Sequence, residues 1–439
     1  MLWFIYNILF AIGFTLMLPR AFMRMRRRGG YLPHFRQRFA RYEPDVRARL
    51  EEGGRIWVHA VSVGEIFVAL RFMDEVRARH PGERFVLSTT TSTGHALAAG
   101  KIRPEDVLIY FPLDFPWIVR RALRLIRPKV LALVECELWP NLIRLAKKAD
   151  VRLFLVNGRI SDHSYRGYRR LRLFTRPLLQ QVDLLCVQSE ADRGRLLDLG
   201  ADPSRLHVMG SAKYDMTAAD GDGEETARAV LEAAGVTREH LVLLGGSTWA
   251  GEEEALLDAY QDLRARFPGL SLVLVPRHAE RSEAVQRVIE SRGLTVTRRS
   301  AVQAGAKPPA APPDVLLVDT TGELRSFYAC ATVIFVGKSL TQHGGQNIIE
   351  PALCGKPIVV GPNMENFPVV IDDFLAAKAL VQVRDAAGLR RALADLLGDA
   401  AARAGHGERA LRLVRERAGA VRKTVELVEA LSSAARRQV

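Results

Sequence analysis

At 439 residues, with 48% hydrophobic and 26% charged side chains, the chain exceeds the usual single-domain range and has the composition of a folded body, which excludes a disordered or fibrous protein. Its formal net charge of +14 suits an anionic surface or ligand, but no aromatic platform or groove-reading motif accompanies it, so nucleic acid is not an expected partner. Cys136, Cys186, Cys330 and Cys354 stand far apart with no metal-ligand spacing, and they read as small core residues in a reducing compartment.

From the start of the chain, Met1 to Pro19 (MLWFIYNILFAIGFTLMLP) carries no charge and approaches the roughly 20 residues of a bilayer span. Eight arginines and no acid follow between Arg20 and Arg41. Positive charge after the apolar run, with no basic residues before it and no small-residue cleavage site, differs from a secretory signal. The pattern predicts a membrane-anchor helix over 1–19 that crosses or deeply enters the inner membrane, with the body on the cytoplasmic face. Two doubly wound α/β domains are expected over 20–215 and 216–415, with a helical tail over 416–439 that packs back on the first domain. Short apolar β-branched runs alternate with helical periodicity through both halves: Ile56–Val61, Phe85–Thr90, Val130–Val134, Leu153–Asn157 and Leu184–Gln188, then Leu241–Gly245, Leu270–Val275, Val315–Val318, Val333–Val336 and Pro357–Val360. Tyr214 to Glu224 reads as the linker and Gln303 to Pro313 as a surface loop.

Trp57–Glu65 (WVHAVSVGE) ends a strand and opens a helix, placing Glu65 where ligands bind in open α/β sheets. The same carboxylate in a first helical turn also serves a purely electrostatic end, complementing the dipole. In Leu131–Asn141 (LALVECELWPN), alternation puts Glu135 and Glu137 on one side, for a sugar hydroxyl or for a cap. Lys213 in GSAKYD is a compact donor for a phosphate or sugar acid, and such loop lysines are also commonly just solvated. Leu241–Glu254 (LVLLGGSTWAGEEE) sets Ser247 and Thr248 at an expected helix N-terminus with open backbone donors. Arg277 and His278 end the next strand, Thr320 to Gly322 form a later turn, and Gly344-Gly345 permit close approach to a phosphate. Asn347 and Glu350, three apart, are expected on one helix face, the acid holding ribose hydroxyls.

Together SVGE, ECELWPN, GSAKYD, STWAGEE, VPRH, DTTGEL and GGQNIIEPA, in this order behind an apolar anchor, resemble the Kdo transferases of lipopolysaccharide synthesis across nearly the whole chain. The resemblance implies a GT-B fold, two Rossmann-like domains with parallel sheets facing a central cleft, and transfer of Kdo from CMP-Kdo to lipid A precursor with inversion. It implies Glu65 as base, Glu135 as second essential acid and Lys213 as the pre-linker lysine. Donor contacts map to Ser247, Thr248, Arg277, His278, Gly322, Glu323, Ser339, Asn347 and Glu350. No metal or other cofactor is expected, since no D-x-D cluster is present and cations surround a phosphate monoester leaving group. Lys338, Gln346 and Trp249 depart from the family's commoner glycine and histidines. Another GT-B enzyme using a UDP-sugar, and a binding-only protein at the membrane surface, are the competing readings.

Overall fold

The computed structural model describes residues 2–28, 34–135, 137–215, 221–303 and 309–436; Cys136, the middle of the expected linker and part of the loop after Gln303 lie outside them. The chain divides into two compact units, Met1–Asp215 with Ala418–Val439, and Met216–Arg417.

In the first unit the strands are β1 (Ile56–Ala60), β2 (Phe85–Thr89), β3 (Val107–Tyr110), β4 (Val130–Val134), β5 (Arg152–Gly158), β6 (Leu184–Val187) and β7 (Leu206–Val208). They pair in parallel in the order β3-β2-β1-β4-β5-β6-β7. The second unit contains β8 (Leu241–Thr248), β9 (Leu270–Pro276), β10 (Val296–Arg298), β11 (Val315–Leu317), β12 (Val333–Val336), β13 (Ile358–Val360) and β14 (Val381–Gln382). Their order is β10-β11-β9-β8-β12-β13-β14, again all parallel. Central strands such as β1, β4 and β12 are near-continuous runs of apolar residues because helices cover both faces. In each sheet the chain reverses direction of winding beside the first strand, between β1 and β4 and between β8 and β12. The carboxyl ends of the strands beside such a reversal are the usual place for a ligand in open sheets.

The N-terminal helix, Leu2–Arg28, has a protein-facing side that its apolar composition conceals. Tyr6 donates its hydroxyl to Asp114 at 3.0 Å, Asn141 Nδ2 donates to Asn7 at 2.7 Å, and Phe10 and Phe14 meet the Phe115 ring edge-on. Phe4, Ile8, Leu9, Ile12 and Leu16 remain exposed on the helix. Of the two expected forms of the anchor, crossing or deeply entering the membrane, the first is corrected: among the described residues no helix is long and apolar enough to cross a membrane. Tyr6, Asn7 and the two phenylalanines supply specific partners for Asp114, Asn141 and Phe115, so one side is committed to the first unit. Asp114 is fully buried and also accepts the amides of Asn141 and Leu142 at 2.9 and 2.8 Å, so one carboxylate joins the N-terminal helix to the start of the helix Pro140–Lys148. Burial makes it a weaker acid, pushing its pKa up to about 7.

The last helix, Ala420–Arg436, is helical as expected of the tail and rejoins the first unit. Asp215 caps it, accepting from the amides of Gly419, Ala420 and Val421, while Arg79 pairs with Glu426 and Glu429 at 2.8 and 3.2 Å. Val421 and Val425 complete the cluster built on Val58, Ile66 and Phe72.

Candidate active site

At the reversal point of the first sheet three carboxylates converge. Glu65 stands in the first turn of the helix Val63–Arg79, in a reciprocal capping box with Ser62. Its two oxygens accept from Val61 N at 2.8 Å and Ser62 N at 3.2 Å, and the residue is 8% exposed. The capping role and the place at the sheet's reversal therefore coexist in one side chain, and each carboxylate oxygen keeps a second lone pair for a ligand. Glu135 follows β4 with φ 59°, which breaks the strand alternation. The expectation that Glu135 and Glu137 project together by simple alternation is thus corrected by a left-handed residue at the strand's end. Burial pushes the Glu135 carboxyl above its ordinary range, as does the negative charge of Glu65, while Lys213 and Arg159 oppose them. Lys213 is correspondingly lowered by burial and by Arg159, with Glu135 acting the other way, so Glu65, Glu135 and Lys213 form one electrostatic group.

Sequence reasoning left Glu137 open between a sugar hydroxyl and a cap, and passed over His59 and Arg159. Glu137 is pushed up to about 7 by burial first and by Glu65 second, against the Trp139 indole that donates to it at 2.8 Å. His59, fully buried and stacked on Phe111 at 3.9 Å, is held down to about 3 by burial, so the imidazole is neutral. Its Nδ1 meets Ser88, and Nε2 lies 4.0 Å from Glu137 with no hydrogen-bond partner among the described residues. Because folding raises the Glu137 value above its ordinary one, the stability this group contributes is complete below pH about 4.5 and is lost as pH rises through about 7. Over that window the loss amounts to about 3 kcal/mol at most. Glu137→Gln is accordingly expected to gain on the native chain by up to that amount in denaturant unfolding at pH 8 relative to pH 4.5. An equal difference between the two chains at both pH values would refute the assignment.

In the second unit the expected donor contacts follow the carboxyl ends of β8, β9, β11 and β12. Ser247 and Thr248 end strand β8, and the next helix begins only at Glu252, which corrects their placement at a helix N-terminus. The strand continues because the turn is made later, by Gly251 at φ 88°. Thr248 Oγ1 is buried without a hydrogen-bond partner among the described residues, and the Thr248 carbonyl accepts from the amide of Arg277 at 3.1 Å. Arg277 and His278 are exposed, the latter edge-on to Trp249 at 5.3 Å, and Lys338 lies over that indole at 5.2 Å. Two of the departures from the family pattern, Trp249 and Lys338, are therefore in contact with each other. Burial raises Glu350, while Arg325, Asn347 and Arg277 hold it down, so Arg277 and Glu350 are brought together. Asn347 precedes the helix Ile349–Leu353 rather than lying on it: its oxygen accepts from Ile349 N at 3.0 Å and its amide donates to Glu350 at 3.3 Å.

Other expected contacts are occupied internally. Ser339 is fully buried, donating to Val336 O at 2.6 Å and accepting from Gly361 N at 2.9 Å, so its hydroxyl is structural. Glu323 pairs with Arg299 at 2.9 Å and accepts from Thr320, one residue beyond Gly322 at φ 91°. The amides of Gly344 and Gly345 are taken by Glu365 and by Lys338 O at 2.7 and 2.8 Å, which corrects the expected phosphate cradle; the glycines serve positive φ and tight packing on Asn366 and Met364 respectively.

What holds these loops is Glu252, which sequence reasoning did not distinguish from its neighbours. Fully buried, it accepts four backbone N–H groups, from Trp249 at 3.0 Å, Lys338 at 2.8 Å, Ser339 at 2.9 Å and Leu340 at 2.9 Å. Gly337 passes so close that a Cβ there would stand 2.8 Å from the same carboxylate. The loops after β8 and β12 are thus joined by one anion.

Comparison with known proteins bears on this geometry. A family model described as 3-deoxy-D-manno-octulosonic-acid transferase (kdotransferase) matches residues 33–216. The 3-deoxy-D-manno-octulosonic acid transferase of Bordetella pertussis is 34% identical over 415 residues, 92% of this chain and 94% of that one. Its counterpart from Haemophilus influenzae is 29% identical over 400 residues, covering 90% and 92%. Among solved structures, HepE of Anabaena in complex with UDP shares the fold, with TM-score 0.55 and 14% identity over 86% of this chain and 100% of that one.

Proposed function

We propose, from the premise that this chain belongs to the 3-deoxy-D-manno-octulosonic-acid (Kdo) transferase family, that its acceptor is the lipid A precursor lipid IVA and that its chemistry is a direct displacement with inversion. The chain is a glycosyltransferase that transfers Kdo from CMP-Kdo in lipopolysaccharide biosynthesis.

In this reading Glu65 takes the proton of an acceptor sugar hydroxyl as that oxygen attacks the anomeric carbon of Kdo, and CMP departs. Glu135 and Lys213 orient the acceptor. Arg277 neutralises charge on the leaving phosphate. Glu350 with Asn347 holds the ribose, and Ser247, Thr248 and His278 complete the donor contacts, while Ser339, Gly322 and Glu323 act by holding loops. The reading rests on the convergence of Glu65, Glu135 and Glu137 at one sheet edge, where mutual repulsion and burial favour uptake of a proton. Val63 and Phe67, exposed beside Glu65, offer an apolar rim to a lipid. Glu137 as the base is a second reading, favoured by its value near 7 and by the two amides that already occupy Glu65.

We further place the protein at the cytoplasmic face of the inner membrane. The exposed apolar face at the start of Leu2–Arg28 would lie in the interface, with the arginine cluster that begins at Arg20 near anionic headgroups.

Incubation with CMP-Kdo and tetra-acylated lipid A precursor is expected to shift the product mass by one or more Kdo residues. Transfer from a UDP-sugar with none from CMP-Kdo, or no mass gain with either donor, overturns the reading.

A further inference from the structure

We propose that the second unit carries a separate binding site for a small phosphate-rich anion, at the amino ends of β8, β12 and β13. The candidate donor residues all follow the carboxyl ends of the strands, so this is the opposite edge of the sheet. A cavity of about 450 Å³ opens there beside His240, Thr332 and Pro357, within the usual size range of ligand pockets.

Its cations come from separate segments. Arg228 projects from the helix Gly221–Ala233, Lys356 from the turn before β13, and Arg403 from the helix Ala400–Arg417. No Asp or Glu among the described residues lines the cavity. The contrast with the cavity beside Tyr260 is direct, because there Arg264 is matched by Asp314 at 2.9 Å.

The three cations are not equivalent, and their differences suit an anion. Arg403 donates to the carbonyls of Leu396 and Leu397 at 2.8 Å each, so its guanidinium is held in position before any ligand arrives. Arg228 and Lys356, both half-buried, make no ion pair among the described residues. Both lie within electrostatic range of one sulfur: burial pushes the Cys330 thiol up, and the charges of Arg228 and Lys356 oppose that push. Glu224 acts at the same thiol in the other direction, but it is exposed and does not line the cavity. Arg238 is exposed and drawn towards Glu232 at 3.7 Å, so it belongs to the rim.

Like charges held together in a concave, partly desolvated space repel one another and focus their field into it, which favours a multiply charged anion over chloride. Planar guanidinium forks match phosphate oxygens in geometry as well as charge, and an ammonium adds a compact point charge. Gly407 sits directly on the Gly355 carbonyl, where a Cβ would collide with it, so the helix bearing Arg403 and the turn bearing Lys356 are held at a set distance.

The test is calorimetric titration of the full chain with inorganic pyrophosphate, in the presence of saturating CMP to occupy the nucleotide site. One saturable site is expected, weakened at least tenfold in Arg228→Gln/Lys356→Gln and unchanged in Arg169→Gln/Arg170→Gln, which removes the same net charge from the first unit. Thermal unfolding without ligand identifies a folded double variant, and the single variants Arg228→Gln and Lys356→Gln serve if it does not fold. Absence of saturable binding overturns the proposal. So does binding that both double variants weaken equally, which would assign the effect to overall charge.

Discussion

Glu65→Gln is expected to lower transfer about 100- to 10,000-fold, the range associated with loss of a positioned general base. The substitution also touches the fold, and the two effects are separable. Glu65 accepts two amides, Val61 N and Ser62 N, whereas glutamine presents one acceptor and turns an NH₂ towards the other donor. Loss of half of this capping box costs about 1 kcal/mol, which leaves the chain folded. Ser62→Ala is the matching control, since it removes the other half of the box, the Ser62 hydroxyl that accepts Glu65 N at 3.2 Å, and leaves the carboxylate. Steady-state rates with CMP-Kdo and lipid IVA, beside a denaturation curve for each variant, decide the matter. Turnover near the native rate in Glu65→Gln ends the base assignment, and an equal fall in Ser62→Ala reassigns Glu65 to structure. If Glu137→Gln alone abolishes turnover while Glu65→Gln retains it, the second reading of the base stands.

Glu252→Gln carries the largest expected effect on the fold of the donor unit. Four N–H donors share two carboxylate oxygens, Trp249 and Lys338 on one, Ser339 and Leu340 on the other. Glutamine leaves two of these donors facing an NH₂ group. Each lost hydrogen bond to a buried charge is worth about 1.5–3 kcal/mol, so the variant should lose about 3–6 kcal/mol and roughly 10 °C or more in Tm. The loops after β8 and β12 separate in that event, and CMP affinity falls at least tenfold. The neighbouring acids provide the scale. Glu253 is committed to Arg281 at 2.7 Å, and Glu254 merely caps its own helix through Gly251 N at 2.7 Å. Thermal unfolding and CMP calorimetry should therefore rank Glu252→Gln above Glu253→Gln and Glu253→Gln above Glu254→Gln. Equal losses at Glu252 and Glu254 would show that the cross-loop bonds add nothing to helix capping.

These three acids mark the boundary between what is legible along the chain and what is not. They are identical in sequence and consecutive, yet one bridges loops, one pairs with an arginine and one caps a helix, because the partner in each case arrives from a distant segment. The strands follow the same division. Each of the central strands stands out as an apolar β-branched run because both of its faces are buried. The four not picked out, β3, β7, β10 and β14, are the edge strands of the two sheets, flanked on one side only and two to four residues long, too short to stand out as runs.

By itself the sequence determined the fold class, through the alternation of buried runs and helical periods, and the family, through the order and spacing of motifs that single residues would not carry. It also determined that Glu65 and Glu135 follow strands, since a strand's end is a local property. Tertiary structure alone decided that those strands are neighbours at the reversal of the sheet, and that Glu137 is forced towards neutrality by burial beside Glu65. It decided as well that Ser339 and the Gly344-Gly345 amides are spent on the fold, and that the apolar N-terminal helix commits one face to Asp114 and Phe115. Periodicity and composition report which groups a segment offers, whereas burial and pairing depend on what the rest of the chain brings within a few ångströms.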